Sequence, residues 1–103
     1  LKDSFHLVVV DVSFISLSKI IKDIESVARK GGDIILLYKP QFEVGKQNIS
    51  KSGVVKKEID TQKILGHFLK SLEKSSLYFV KCRKAYITGK KGNQEIFVHL
   101  KKC

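Results

Sequence analysis

The chain has 103 residues, 43% of them hydrophobic, with 20 Lys plus Arg against 10 Asp plus Glu for a formal charge of +10. A chain this short holds one domain at most, and its apolar content excludes a disordered polymer. The charge favours polyanionic partners, nucleic acid first and an anionic membrane surface second. Eighteen of the 20 cations are Lys spread along the chain, which is also the pattern of a merely solvated surface.

Cys82 and Cys103 form no CxxC, and His6, His67 and His99 lie far apart. No metal-ligand spacing is present, so no metal is expected, and free thiols suit a reducing compartment. No apolar run approaches the ~20 residues that span a bilayer, and no signal peptide is visible. The expectation is a cytoplasmic protein that does not enter a membrane. The chain contains no Met, so Leu1 is read as the start of an excised piece.

Leu7 to Val10 is a continuous apolar run ending at Asp11, which suits a strand buried on both faces. Ser16 to Arg29 is amphipathic. Leu17, Ile20, Ile21, Ile24, Val27 and Ala28 fall on one helical face, Ser16 is placed to cap its start, and Gly31-Gly32 to end it. Ile34 to Tyr38 is a second buried strand, ending at Lys39-Pro40. Strand, helix and strand with short joints make a right-handed parallel unit.

Residues 41–55 form a polar loop longer than most connections, which hints at function. Lys57 to Lys74 reads as a second helix with Ile64, Leu65, Phe68, Leu69 and Leu72 inward. Leu77 to Ile87 reads as a strand, residues 88–93 as a turn, and Glu95 to Leu100 as a last strand that closes an antiparallel hairpin. The fold class is therefore α/β, in the order β-α-β-α-β-β. With no internal boundary and one sheet edge left bare, residues 1–103 read as the C-terminal half of a larger open-sheet domain.

Ligands of open α/β sheets sit at the carboxyl ends of the parallel strands. Asp11 and Lys39 occupy those ends on neighbouring strands. Glu95 starts an antiparallel strand and so lies at the same edge. Each alone has a plainer reading: a helix-leading Asp, a solvated Lys and a hairpin charge. Their convergence is harder to dismiss. Pro40 restricts Lys39 to extended geometry. Phe14 and Phe42 follow the two strand ends and can stack a ring, although core packing is as common a use. Lys46 and Lys51 in the long loop, and Lys90 and Lys91 in the hairpin turn, are candidates for phosphate contacts.

The run Val9-Val10-Asp11-Val12-Ser13-Phe14-Ile15-Ser16-Leu17 resembles the fourth-strand motif of TlyA-type (hemolysin A) rRNA methyltransferases of the FtsJ-like superfamily. Lys39-Pro40-Gln41-Phe42-Glu43 resembles that family's fifth-strand motif, Gly53-Val54-Val55 its next loop, and residues 87–95 its closing hairpin. The resemblance covers essentially the whole chain, in order. It implies a Rossmann-like, S-adenosyl-L-methionine-dependent enzyme that methylates ribose 2′-hydroxyls of ribosomal RNA, cytidine above all, on ribosomes or their subunits. The family's Lys-Asp-Lys-Glu set maps by motif onto Asp11, Lys39 and Glu95. Its first Lys, its Gly-rich cofactor loop and an S4-like RNA-binding domain have no counterpart here. Asp11, Val12, Ser13 and Phe14 are candidate cofactor contacts, and Lys46, Lys51, Lys90, Lys91 and Asn93 candidate RNA contacts. The resemblance gives Lys39 one of two roles toward the hydroxyl, general base or electrostatic guide. Residues 1–103 alone are expected to be inactive.

Three other readings compete. A receiver-type phosphoacceptor module has a strand-end Asp and a Lys-Pro, but needs more elements between them and an acidic pair. A non-catalytic RNA- or ribosome-binding module fits the charge but does not require Asp11, Lys39 and Glu95 together. A membrane-active hemolysin finds no long apolar segment to support it.

Overall fold

The computed structural model describes residues 4–86 and 92–103. Four strands make one sheet: β1 (Phe5–Val10), β2 (Ala28–Tyr38), β3 (Leu77–Lys84) and β4 (Ile96–Lys102). Helices α1 (Ile21–Val27) and α2 (Thr61–Ser71) connect β1 to β2 and β2 to β3. The spatial order is β1-β2-β4-β3, with β1 parallel to β2 and β4 antiparallel to both of its neighbours. The expected succession of elements and the closing hairpin are both present.

One apolar core lies on one side of the sheet. Ile34, Leu36 and Tyr38 of β2 alternate inward, as the two-residue strand period requires, and meet Val98 and Leu100 of β4. Leu17, Ile24, Leu65, Phe68 and Leu72 cover them from the helical segments. Burying a side chain such as Leu36 fully contributes roughly 1.5–3 kcal/mol. The opposite side of β1 differs from expectation. Leu7 and Val9 are 53% and 68% exposed, because both helices pack on the other side and β1 is the edge of the described sheet.

The first helix is shorter than its periodicity suggests. A short 3-10 turn (Leu17–Lys19) precedes it, and it ends at Val27, since Ala28 already has extended geometry (ψ 137°). Gly31 and Gly32 do not stop a helix; they sit in an irregular stretch of β2. Ala28 pairs with Phe5 and Asp33 with Leu7, so residues 29–32 bulge opposite His6. A Cβ on Gly32 would lie 2.8 Å from the Arg29 carbonyl oxygen, and Gly31 has φ 81°. The second helix begins at Thr61 rather than at Lys57. The Asp60 side chain accepts from Lys63 N at 3.1 Å and fixes the start there. Its last turn tightens into a 3-10 segment, Leu72–Lys74. β3 ends at Lys84, three residues before the expected Ile87, which lies outside the described residues.

Candidate active site

β1 and β2 run parallel and end side by side, so Asp11 and Lys39 emerge at one edge. Lys39 is extended (φ −111°, ψ 102°) ahead of Pro40, which is buried and starts a 3-10 turn. The Lys39 Nζ lies 2.6 Å from Asp11 Oδ1 and donates to Ser13 Oγ at 3.1 Å. The Lys39 side chain is 13% exposed and that of Asp11 62%. The amine is thus held inside the rim by a carboxylate that faces solvent, in a short charge-assisted bond.

Glu95 precedes β4 directly. The pairing of Tyr38 with Ile96 sets it across from Lys39 on the same edge. Its Oε2 accepts from Gln41 Nε2 at 3.0 Å. Asp11 and Lys39 are therefore in contact, and Glu95 reaches the same rim through Gln41.

Ser13 and Phe14 follow Asp11 on an exposed loop, while Val12 packs against the core. Phe14 is 90% exposed and has φ 65°, a left-handed conformation that costs a residue with a Cβ roughly 1–2 kcal/mol. A strained, exposed aromatic at a strand end points to use rather than packing. Its ring sits 5.0 Å from that of Phe42, tilted by 51°. The pair walls an open cavity of about 660 Å³, lined also by Ile15, Lys19, Gln41 and Lys46.

Glu43 ties the two strand-end loops together. Its Oε1 accepts from Ser16 Oγ at 2.7 Å and its Oε2 from Leu17 N at 3.0 Å. Burial pushes its carboxyl above the ordinary value, against the lowering effect of those two bonds. Glu43 and Gln41 were not singled out from sequence, although both flank Phe42 in the Lys39–Glu43 run. Their partners lie 27 and 54 positions away, and no local spacing signals such contacts.

The residues expected to meet RNA are placed differently from one another. Lys46 and Lys51 are exposed on the long loop. Lys90 and Lys91 lie outside the described residues. Asn93 is instead buried, at 4% exposure. Its Oδ1 accepts from Val55 N and its Nδ2 donates to Gly53 O, both at 3.0 Å. It pins the long loop to the entry of β4, so its amide is engaged within the protein.

Residues 1–102 match the family model of FtsJ-like methyltransferases. The chain belongs to that family. Among curated relatives, it is 42% identical over 100 residues to the 23S rRNA (cytidine-2′-O)-methyltransferase TlyA of Campylobacter jejuni, covering 95% of this chain and 38% of that protein. It is 33% identical to the 16S/23S rRNA (cytidine-2′-O)-methyltransferase TlyA of Mycobacterium tuberculosis, covering 92% and 35%. Identity to Hemolysin A of Brachyspira hyodysenteriae is also 33%, covering 90% and 39%. The chain thus spans well under half the length of these relatives. A solved putative hemolysin from Streptococcus thermophilus superposes with a TM-score of 0.88 at 30% identity, over 98% of this chain and 36% of that one. An O-methyltransferase from Bacillus cereus, at 15% identity and a TM-score of 0.54, shares the fold. The mixed α/β sheet is that of a methyltransferase.

Proposed function

We propose that these residues form the substrate-facing edge of an S-adenosyl-L-methionine-dependent enzyme that methylates ribose 2′-hydroxyls of ribosomal RNA, with cytidine as the target nucleoside. The observation that carries this reading is Lys39, whose side chain is 13% exposed and whose amine is ion-paired to Asp11 at 2.6 Å at the carboxyl edge of the parallel strands. A module that only binds RNA has no need for an amine held in this way. The enzyme's catalytic domain is larger than this chain, which covers 38% of the Campylobacter jejuni relative. The first Lys of the family's set and the Gly-rich cofactor loop are assigned to the remainder.

The residues present fit part of a cofactor site. Asp11 and Phe14 offer an exposed carboxylate and an exposed aromatic face beside each other in sequence, the two groups that attract a sulfonium cation. Asp11, Val12, Ser13 and Phe14 would hold it, and when bound it supplies an electrophilic methyl group. Lys39 orients the ribose hydroxyl for in-line attack. Asp11 and Ser13 fix where the amine points, so Lys39 acts as a donor that stabilises charge on the attacking oxygen. That oxygen turns strongly acidic as its new bond forms, so a weak base suffices for its proton, and Asp11 leads to solvent. Phe42, beside Phe14, is placed to stack the target base, and Lys46 and Lys51 meet phosphates.

The test is transfer of labelled methyl groups from S-adenosyl-L-methionine to ribosomal subunits by the full-length protein. Lys39→Ala is expected to lower the rate by about 10²–10³-fold. Unchanged methylation by that variant would remove Lys39 from its assigned role.

A further inference from the structure

At the far side of the sheet from the Lys39–Asp11 pair, β3 is an outer strand exposed from Tyr78 to Lys84. It carries Lys81, Arg83 and Lys84, and neither β3 nor β4 contains an Asp or Glu. On β4, Lys101 is paired with Asp33 and Lys102 is bound to backbone carbonyls. Among the described residues, Lys81, Arg83 and Lys84 have no carboxylate partner.

Arg83 also contacts an aromatic ring. Its guanidinium carbon lies 5.7 Å from the centre of the Tyr86 ring, and its Nη2 is 3.4 Å from the Tyr86 hydroxyl. Tyr86 is 92% exposed. Lysines on an edge strand commonly serve only to block pairing with other strands. That role needs no guanidinium poised over an exposed ring. An arginine beside a free aromatic face is what nucleic acid meets when bases stack and phosphates pair.

The strip also leads to the candidate active site. Lys84 pairs with Ile96, and Ala85 N donates to Glu95 O at 3.0 Å, so its upper end is the rim that carries Glu95. We infer that the outer margin formed by Lys81, Arg83, Lys84 and Tyr86 is a second RNA contact, one that grips the phosphate backbone of the strand whose nucleotide enters the rim. This rests on the methyltransferase reading for what the RNA is doing there. A second copy of the chain suits this edge poorly, because pairing β3 with itself brings like charges together.

The experiment compares two triple variants of the full-length protein in binding a fluorescein-labelled single-stranded RNA of mixed sequence across a salt series. Lys81→Gln/Arg83→Gln/Lys84→Gln removes the strip. Lys22→Gln/Lys63→Gln/Lys70→Gln removes the same charge from exposed helix positions. Circular dichroism checks that both remain folded. The strip variant is expected to lose at least about tenfold in affinity, with a salt slope shallower by about two, from ~0.7 per released phosphate contact. The helix variant is expected to lose only a small part of that.

Equal losses in the two variants would reduce the strip to a share of the general field and overturn the inference. So would an unchanged affinity accompanied by a changed oligomeric state in light scattering. Methyl transfer at saturating RNA is read separately. If the wild type transfers no methyl group, the enzymatic reading fails while the comparison of affinities still decides the strip.

Discussion

Glu43 offers a direct measure of how firmly the rim is held. Glu43→Ala deletes the acceptors of Ser16 Oγ and Leu17 N. A hydrogen bond to a charged group contributes roughly 1.5–3 kcal/mol. The Ser16 hydroxyl has Ser18 Oγ at 2.9 Å as another partner, so its loss is small. Leu17 is 2% exposed, and its N–H loses the Glu43 acceptor. The net cost is therefore about 2 kcal/mol, or roughly 10 °C in Tm for a domain of this size.

Glu43→Gln adds a test of sign. Burial raises the folded carboxyl above its ordinary value, so the folded state holds the proton more readily than the unfolded one. The stability this provides is full below the unfolded value and is lost as pH rises through the folded value. The Gln variant does not titrate. Melts followed by circular dichroism from acid to neutral pH should show the wild type losing ground to Glu43→Gln as pH rises. A relative stability that stays constant, or a wild type that gains on Glu43→Gln as pH rises, would mean that the folded carboxyl is not raised and would overturn this expectation.

The Tyr38 hydroxyl is buried without a hydrogen-bond partner among the described residues, and burial pushes its pKa well above the ordinary value. Tyr38→Phe should therefore raise stability by about 1 kcal/mol; a lower Tm in thermal melts would reveal a partner for that hydroxyl. At Phe14, with φ 65°, both Gly and Ala lose the ring, but only Gly is at ease. Phe14→Gly is expected to be about 0.5–1 kcal/mol more stable than Phe14→Ala by denaturant titration. The reverse order of stability would deny the strain. Asn93→Ala leaves Val55 N and Gly53 O without their side-chain partner and should cost about 1–3 kcal/mol in the same titration. Full stability in that variant would mean that other contacts hold the loop.

The succession of elements was legible because each signal was local. Leu7–Val10 and Ile34–Tyr38 are unbroken apolar runs, and the α2 face repeats with helical period. Asp11 and Lys39 could be brought together from sequence because parallel neighbours must end at one edge. Other features needed contacts across the chain. Gly31-Gly32 suits a helix stop or a bulge equally well, and only the register of β1 on β2 decides. The Val-rich β1 reads as doubly buried, yet which side is covered depends on where the helices pack. Asn93 looks like a turn residue until Gly53 and Val55 are seen to claim its amide.

The five residues after β2 explain why the rim holds together. Lys39 reaches Asp11 and Ser13, Gln41 reaches Glu95, Phe42 meets Phe14, and Glu43 reaches Ser16 and Leu17. One short run can do this because β2 lies between β1 and β4, so the chain leaving it has a neighbouring strand end on each side. The same run on an edge strand would have one neighbour only. The Asp11–Lys39 contact is thus a consequence of strand order, and Gln41 and Glu43 convert that order into fixed geometry. Loosening Gln41 frees Glu95 from the rim, while the core beneath is built from other residues.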